Sequence, residues 1–131
     1  MTSNTEVPIR SLTLAERKAS DALQVTHQRD STALLAGLLA DARELRPLTW
    51  TVANAGARLT GWCMTRPASR RLDEFSAWRA FLLTRAGKPD LEQNLTLNGG
   101  EMRLAAEWRY YRGSTVTVTL TASIPADVSD T

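Results

Sequence analysis

Apolar residues in the first third of the chain recur every three to four residues, from Leu14 towards Leu45. This spacing predicts helix, because it places the apolar side chains on one face. Thr13 precedes Glu16 at the spacing of a capping box, in which both side chains bind free amides at a helix start. Pro47 disfavours a helical conformation of the residue before it, so we expect the helical region to end there.

The polar segment 27–32 interrupts this stripe and leaves the number of helices open. Asp30 or Ser31 would serve as the N-cap of a second helix, since either side chain can accept a hydrogen bond from a free backbone amide. One long helix and two short helices both fit the pattern.

Strand periodicity follows at 48–52, where apolar residues alternate with threonines. If Ala55 and Gly56 form a two-residue turn, Val52 lies opposite Leu59 in a hairpin. Trp50 then lies opposite Gly61. This register groups the apolar side chains on one face, as a sheet with one buried face requires.

The segment 70–89 predicts an amphipathic helix. The residues of its apolar face recur at helical spacing and are Leu72, Phe75, Trp78 and Leu82. Asp73 and Glu74 are expected on the solvated side, and Phe81 falls away from the stripe without a clear partner. Gly87 is suited to end the helix. An aromatic stripe at this spacing is typical of a core, so Trp50, Phe75, Trp78 and Trp108 are predicted to lie between helix and sheet.

The last third predicts three strands. Asn98-Gly99 is typical of a two-residue type I′ turn, which would place Leu95 opposite Met102. A loop at 111–113 would then place Trp108 opposite Val116. The final strand alternates apolar residues with threonines up to Ile124.

The predicted order is a helix or helix pair followed by β-β-α-β-β-β. This order indicates an α+β fold, with one amphipathic helix packed on an antiparallel sheet. We expect a polar arm at 1–10, a single domain at 11–124 and a tail at 125–131. Within that domain, 11–46 is the helical N-terminal region and 48–124 is the sheet with its helix.

Four segments, PLTWTV, LTGW, FSAWRAFL and VTVTLTASIP, resemble a class of small proteins of actinobacteria, their phages and their integrative elements. The resemblance extends from about Leu45 to Pro125 and rests on packing motifs. It implies an actinobacterial or actinophage origin. The class has no established activity, so the resemblance supplies no catalytic residue.

Charge and chemistry narrow the function classes. The net charge is +2 with a pI of about 9.1, which is weak evidence for a polyanionic partner. His27 and Cys63 are the sole histidine and cysteine, which are too few for an ordinary zinc site. A Ser-His-Asp or Cys-His arrangement would need His27, which lies in the N-terminal helical region, far in sequence from Cys63. We therefore expect no enzyme activity, no cofactor and no metal. Cys63 is expected to be an inert core thiol. The lone cysteine and the lack of a membrane-spanning apolar run predict a cytoplasmic protein, of the host cell or of a virion.

The leucine-rich helical segment is the first candidate functional surface. It would contact a protein partner or a second copy of the chain through Leu34, Leu35, Leu38, Leu39 and Leu45. This predicts a non-enzymatic interaction or assembly component of a phage or mobile genetic element, which binds a protein partner or forms a homo-oligomer and has no membrane partner. The alternative is an accessory protein that binds nucleic acid through Arg66, Arg70 and Arg71, near a helix start.

Overall fold

Two helices and a five-stranded sheet make up the computed structural model, which describes residues 13–126. In chain order the elements are α1 (Leu14–Asp41), β1 (Thr49–Val52), β2 (Arg58–Cys63), α2 (Arg71–Ala86), β3 (Leu91–Thr96), β4 (Met102–Trp108) and β5 (Thr117–Ile124). The chain is α+β, as predicted. The predicted arm at 1–10 lies outside the described residues, as does the predicted tail apart from Pro125 and Ala126.

Helix α1 is one continuous helix, which decides between the two alternatives. Its capping box is confirmed: the Glu16 amide donates to Thr13 Oγ1 at 3.1 Å, and the Thr13 amide donates to Glu16 Oε1 at 2.9 Å. Asp30 and Ser31 lie inside the helix and cap nothing. Asp30 instead accepts a hydrogen bond from the Thr115 hydroxyl at 3.2 Å, while Ser31 is fully buried. The polar segment 27–32 is therefore the place where α1 first contacts the rest of the domain.

The sheet has the strand order β1-β2-β5-β4-β3 and is mixed. Three neighbouring pairs are antiparallel, but β2 and β5 are parallel. The predicted antiparallel sheet is therefore wrong at this one pair. The physical reason is that β5 returns from β4 as a hairpin and enters the sheet beside β2, which runs in the same direction.

The register of the first hairpin is confirmed, with Val52 opposite Leu59 and Trp50 opposite Gly61. The register of the second hairpin is wrong by one residue, because Leu95 lies opposite Arg103 rather than Met102.

This shift arises at the turn, where Gly99 and Gly100 both have φ of +88°. The Leu97 amide donates to the Glu101 carbonyl at 2.7 Å, so the loop has three residues rather than two. The shift turns Leu91 and Leu95 onto the sheet face away from α2.

The connection between β4 and β5 is also longer than predicted. Trp108 lies opposite Val118 rather than Val116, because a short 3-10 turn at Tyr111–Gly113 adds length to the loop. The difference is two residues, so each side chain stays on its predicted face.

Helix α2 covers one face of the sheet and forms the core with it. Phe75, Trp78 and Trp108 are buried, as predicted, and Trp50 is partly buried with its ring edge-on to Trp78 at 5.6 Å. Phe81 has a partner after all, because its ring lies edge-on to Trp78 at 5.7 Å.

Two positions of α2 are reversed relative to the prediction. Leu72, assigned to the apolar face, is exposed, and Glu74, assigned to the solvated side, is buried. The second reversal bears on function, because it places a carboxylate inside the domain.

Candidate functional site

The predicted leucine surface is divided between the core and the solvent. Leu38 is buried, and Leu34, Leu35 and Leu45 are partly buried against the core. Only Leu39, at 44% exposure, is open to another chain. Four of the five side chains thus already pack within their own domain, and their contact with a partner stays a prediction.

The first half of α1 extends beyond the domain. Between Leu14 and Thr26 every side chain except that of Glu16 is exposed. Contact with the domain starts near His27 and Ser31. The extending part therefore measures roughly 20 Å along the helix axis.

The side of α1 that faces away from the domain carries small residues at regular spacing. Ser31 and Leu38 are seven residues apart, are both buried, and mark the inward side. The opposite side, here called the outer face of α1, consists of Ala15, Ala19, Ala22, Thr26, Arg29, Ala33, Ala36 and Ala40. All eight are exposed, and their spacing alternates between four and three residues. This is the heptad spacing of helices that pair side by side.

Large apolar side chains flank the outer face. Leu14, Leu23, Val25 and Leu39 are all exposed. Each lies beside the row of small residues, given 3.6 residues per turn. A partner that covered the outer face would also bury these side chains, which favours association in water.

The predicted nucleic-acid residues do not form one cationic patch. Arg66 and Arg70 are exposed, whereas Arg71 is half-buried. Arg71 donates to the backbone carbonyls of Thr65 at 3.1 Å and Ser123 at 2.9 Å. Its guanidinium therefore ties the start of α2 to β5, and nucleic-acid contact by the arginines stays a prediction.

A cleft of about 320 Å³ lies between α2 and the connection that follows α1. This α2 cleft is lined by Glu44, Leu45, Arg46, Arg70, Asp73, Glu74, Ala77 and Trp78. It brings together Leu45 and Arg70, which were predicted as members of two different sites. The Trp78 indole N–H donates to the Arg46 carbonyl at 2.8 Å and fixes the two sides of the cleft to each other.

Glu74 is a functional candidate that sequence reasoning missed. Its Oε2 accepts a short hydrogen bond from the Thr65 hydroxyl, and its Oε1 is buried with no protein partner. In the sequence, Asp73 and Glu74 had an ordinary explanation as acids in the first turn of a helix. No signal there indicated that one of the two is buried.

Cys63 lies in the core close to this carboxylate. Burial, and after it the charge of Glu74, raises the pKa of the thiol to about 12, against an opposing effect of Arg71. The group is therefore a protonated thiol at neutral pH, and the thiol form is a poor nucleophile. This fits the inert cysteine that was predicted.

Residues 13–126 contain neither a metal-binding cluster nor a membrane-spanning helix. No three His, Cys, Asp or Glu side chains are grouped in a way that could hold a metal ion. Among the helices of this part of the chain, none has both the length and the apolarity to cross a membrane.

An arginine pair surrounds Glu107 on the sheet face away from α2. Arg109 Nε donates to Glu107 Oε2 at 2.9 Å, and Arg58 Nη1 donates to Glu107 Oε1 at 3.2 Å. The hydrogen bond from Arg109, with that from Arg58, lowers the pKa of Glu107 despite its partial burial.

We expect Glu107 to make the domain less stable in acid. A carboxyl whose pKa is lowered by folding stabilises the folded state above its unfolded pKa. That contribution is lost as the pH falls through the folded pKa. Urea unfolding at pH 7 and at about pH 3 will measure the difference. Glu107→Gln should show a smaller difference than the wild type, and an unchanged difference would contradict the role of this carboxyl.

No protein-family model, curated protein or solved structure matches the chain. Its function is therefore inferred from its own residues.

Proposed function

We propose that this protein is a non-enzymatic assembly component, which binds a second copy of itself through the outer face of α1. The observation that carries the proposal is a row of exposed side chains, all small except Arg29, on the side of α1 that its own domain does not use. Small residues allow two helices to approach closely along their length. Because each domain lies on the opposite side of its helix, the domains would not obstruct such a pair.

The charges on this face favour an antiparallel pair. In that arrangement Ala22 of one copy lies opposite Ala33 of the other, and Arg29 lies opposite the hydroxyl-bearing Thr26. In a parallel pair, each residue of the outer face would meet its own counterpart. Arg29 would then lie directly opposite Arg29 of the second copy, whereas the antiparallel pair offsets these like charges by three residues and so weakens their repulsion.

Self-association will be visible as a concentration-dependent mass in sedimentation experiments. We expect the wild type to form dimers at tens of micromolar and Ala22→Glu to remain monomeric, because the substitution places a bulky charge in the contact. Gln28→Glu is the matched control, since Gln28 is exposed on α1 but off the outer face. Circular dichroism should be the same for all three proteins.

A wild type that stays monomeric under these conditions would overturn the proposal. So would a Gln28→Glu variant that dissociates as readily as Ala22→Glu, since the outer face would then have no special role.

Introduced cysteines will report the direction of the helices. We expect a disulfide between Ala22→Cys and Ala33→Cys proteins when the two are mixed, and little disulfide from either alone. The buried, protonated Cys63 should not compete. A strong self-disulfide of Ala22→Cys would indicate a parallel pair and contradict the proposed arrangement.

The proposed setting is a phage or mobile element of actinobacteria, with the protein in the cytoplasm or in a virion. The sequence resemblance from about Leu45 to Pro125 supports this origin. The genes that neighbour the coding sequence will test it.

A further inference from the structure

The charged side chains that line the α2 cleft lack ion pairs of their own. Five other arginines in residues 13–126 form ion pairs with acids, among them Arg79 with Glu92 at 2.7 Å and Arg85 with Asp41 at 2.8 Å. Four charged side chains of the cleft form no hydrogen bond or ion pair within residues 13–126. They are Glu44, Arg46, Arg70 and Asp73. Two guanidinium groups and two carboxylates thus border one cavity without partners.

Glu74 adds a buried acceptor to this set. The residue is 6% exposed, lines the cleft, and has no partner for Oε1. Leaving a buried polar oxygen without a donor destabilises a protein. The nearby Arg71 does not supply the donor, because its hydrogen bonds go to backbone carbonyls. A ligand with an N–H group would satisfy this oxygen.

We infer that the α2 cleft binds a small zwitterion of the α-amino-acid type. The ligand's ammonium donates to Glu74 Oε1, and its carboxylate meets Arg46 and Arg70. Its apolar side chain packs on the apolar wall of the cleft, which is formed by Leu45, Ala77 and Trp78. Guanidinium groups suit a carboxylate because their donors match its two oxygens.

We infer a zwitterionic ligand because the cleft is lined by both positively and negatively charged side chains. Three carboxyl groups, those of Glu44, Asp73 and Glu74, and two guanidinium groups line the cleft. A simple amine would leave the arginines unpaired, and a simple acid would leave Glu74 unpaired. A volume of about 320 Å³ is at the lower end of the usual range for small-molecule sites, roughly 300–1,000 Å³. The ligand is therefore small. This inference does not depend on self-association through α1.

Three probes with the same apolar body test the inference. L-leucine has both charges, 4-methylpentanoate lacks the amine, and 3-methylbutylamine lacks the carboxylate. We expect L-leucine to shift the NMR signal of the Trp78 indole N–H saturably, because this ring forms part of the cleft wall. That signal can be assigned with Trp78→Phe. The two single-charge probes should bind at least about tenfold more weakly, since each loses one charged hydrogen-bonding group.

Two arginine variants decide whether the cleft is the site. Arg70→Gln removes an exposed cleft side chain that has no intramolecular partner, and should weaken leucine binding about tenfold. Arg66→Gln is the matched control: Arg66 is exposed nearby but outside the cleft, so affinity should not change. Glu74→Gln should weaken binding at least as much as Arg70→Gln. If this buried variant does not fold, the arginine pair still decides.

The inference is overturned if L-leucine gives no saturable shift. Equal affinities of Arg70→Gln and Arg66→Gln would overturn it too. A single-charge probe that binds as tightly as L-leucine would exclude the zwitterion.

Discussion

Replacing Trp78 with alanine will lower the free energy of unfolding by about 3–5 kcal/mol. Trp78 is 1% exposed, and its ring lies edge-on to both Trp50 and Phe81. Its loss leaves a cavity between α2 and the sheet. The substitution also removes the indole donor of the Arg46 carbonyl, so part of the cost is a lost hydrogen bond.

Urea unfolding followed by circular dichroism will measure this loss. Trp62→Ala is the matched control, because Trp62 is 42% exposed on the other face of the sheet and donates one hydrogen bond, to Thr51. We expect that control to cost about 1 kcal/mol. Similar losses for the two variants would contradict the assignment of Trp78 to the core.

Replacing Gly61 with valine will lower the free energy of unfolding by about 1–3 kcal/mol or more. A Cβ atom at Gly61 would lie 2.9 Å from Trp50 Cη2 and 3.0 Å from Leu48 Cδ1. Both distances are shorter than van der Waals contact. The glycine therefore leaves the space in which the Trp50 ring crosses β2 and reaches Trp78.

Gly37→Ala is the contrasting variant: we expect it to raise the free energy of unfolding under the same conditions. A Cβ atom at Gly37 would meet nothing within 4 Å, and the residue is inside α1. Alanine should therefore stabilise the domain by up to about 1 kcal/mol through helix propensity. A Gly61→Val variant that unfolds like the wild type would show that Trp50 does not need this space.

The two hairpins show which parts of the sheet could be read from the sequence. The first register was predictable, because a two-residue turn at Ala55-Gly56 also places Trp50 and Val52 on the face of Leu59. The second register was ambiguous at its turn, where Asn98 is followed by two glycines that can both adopt positive φ. Both registers alternate sensibly, but in the observed one Glu92 faces α2 and forms an ion pair with Arg79. The turn geometry and this tertiary contact therefore both agree with the observed register, and local alternation reports neither of them.

The candidate sites were less predictable than the fold. Leucines dominate the periodicity of α1, so the sequence indicated the leucine stripe as the contact surface, and not the weakly apolar alanines of the outer face. The burial of Glu74 depends on how the segment containing Thr65 folds over the start of α2. That path is set by contacts between distant parts of the chain, which local periodicity does not report.

The parallel pairing of β2 with β5 also decides when the domain can be completed during synthesis. β5 is the last strand to leave the ribosome, yet it lies in the middle of the sheet. Until it emerges, β1–β2 and β3–β4 are two separate hairpins, and isolated hairpins are marginally stable in water. The nascent chain therefore presents unpaired edges of β2 and β4 until β5 has emerged from the ribosome, and other chains can pair with such edges. Its risk of aggregation is greatest in the interval between the emergence of β4 and that of β5.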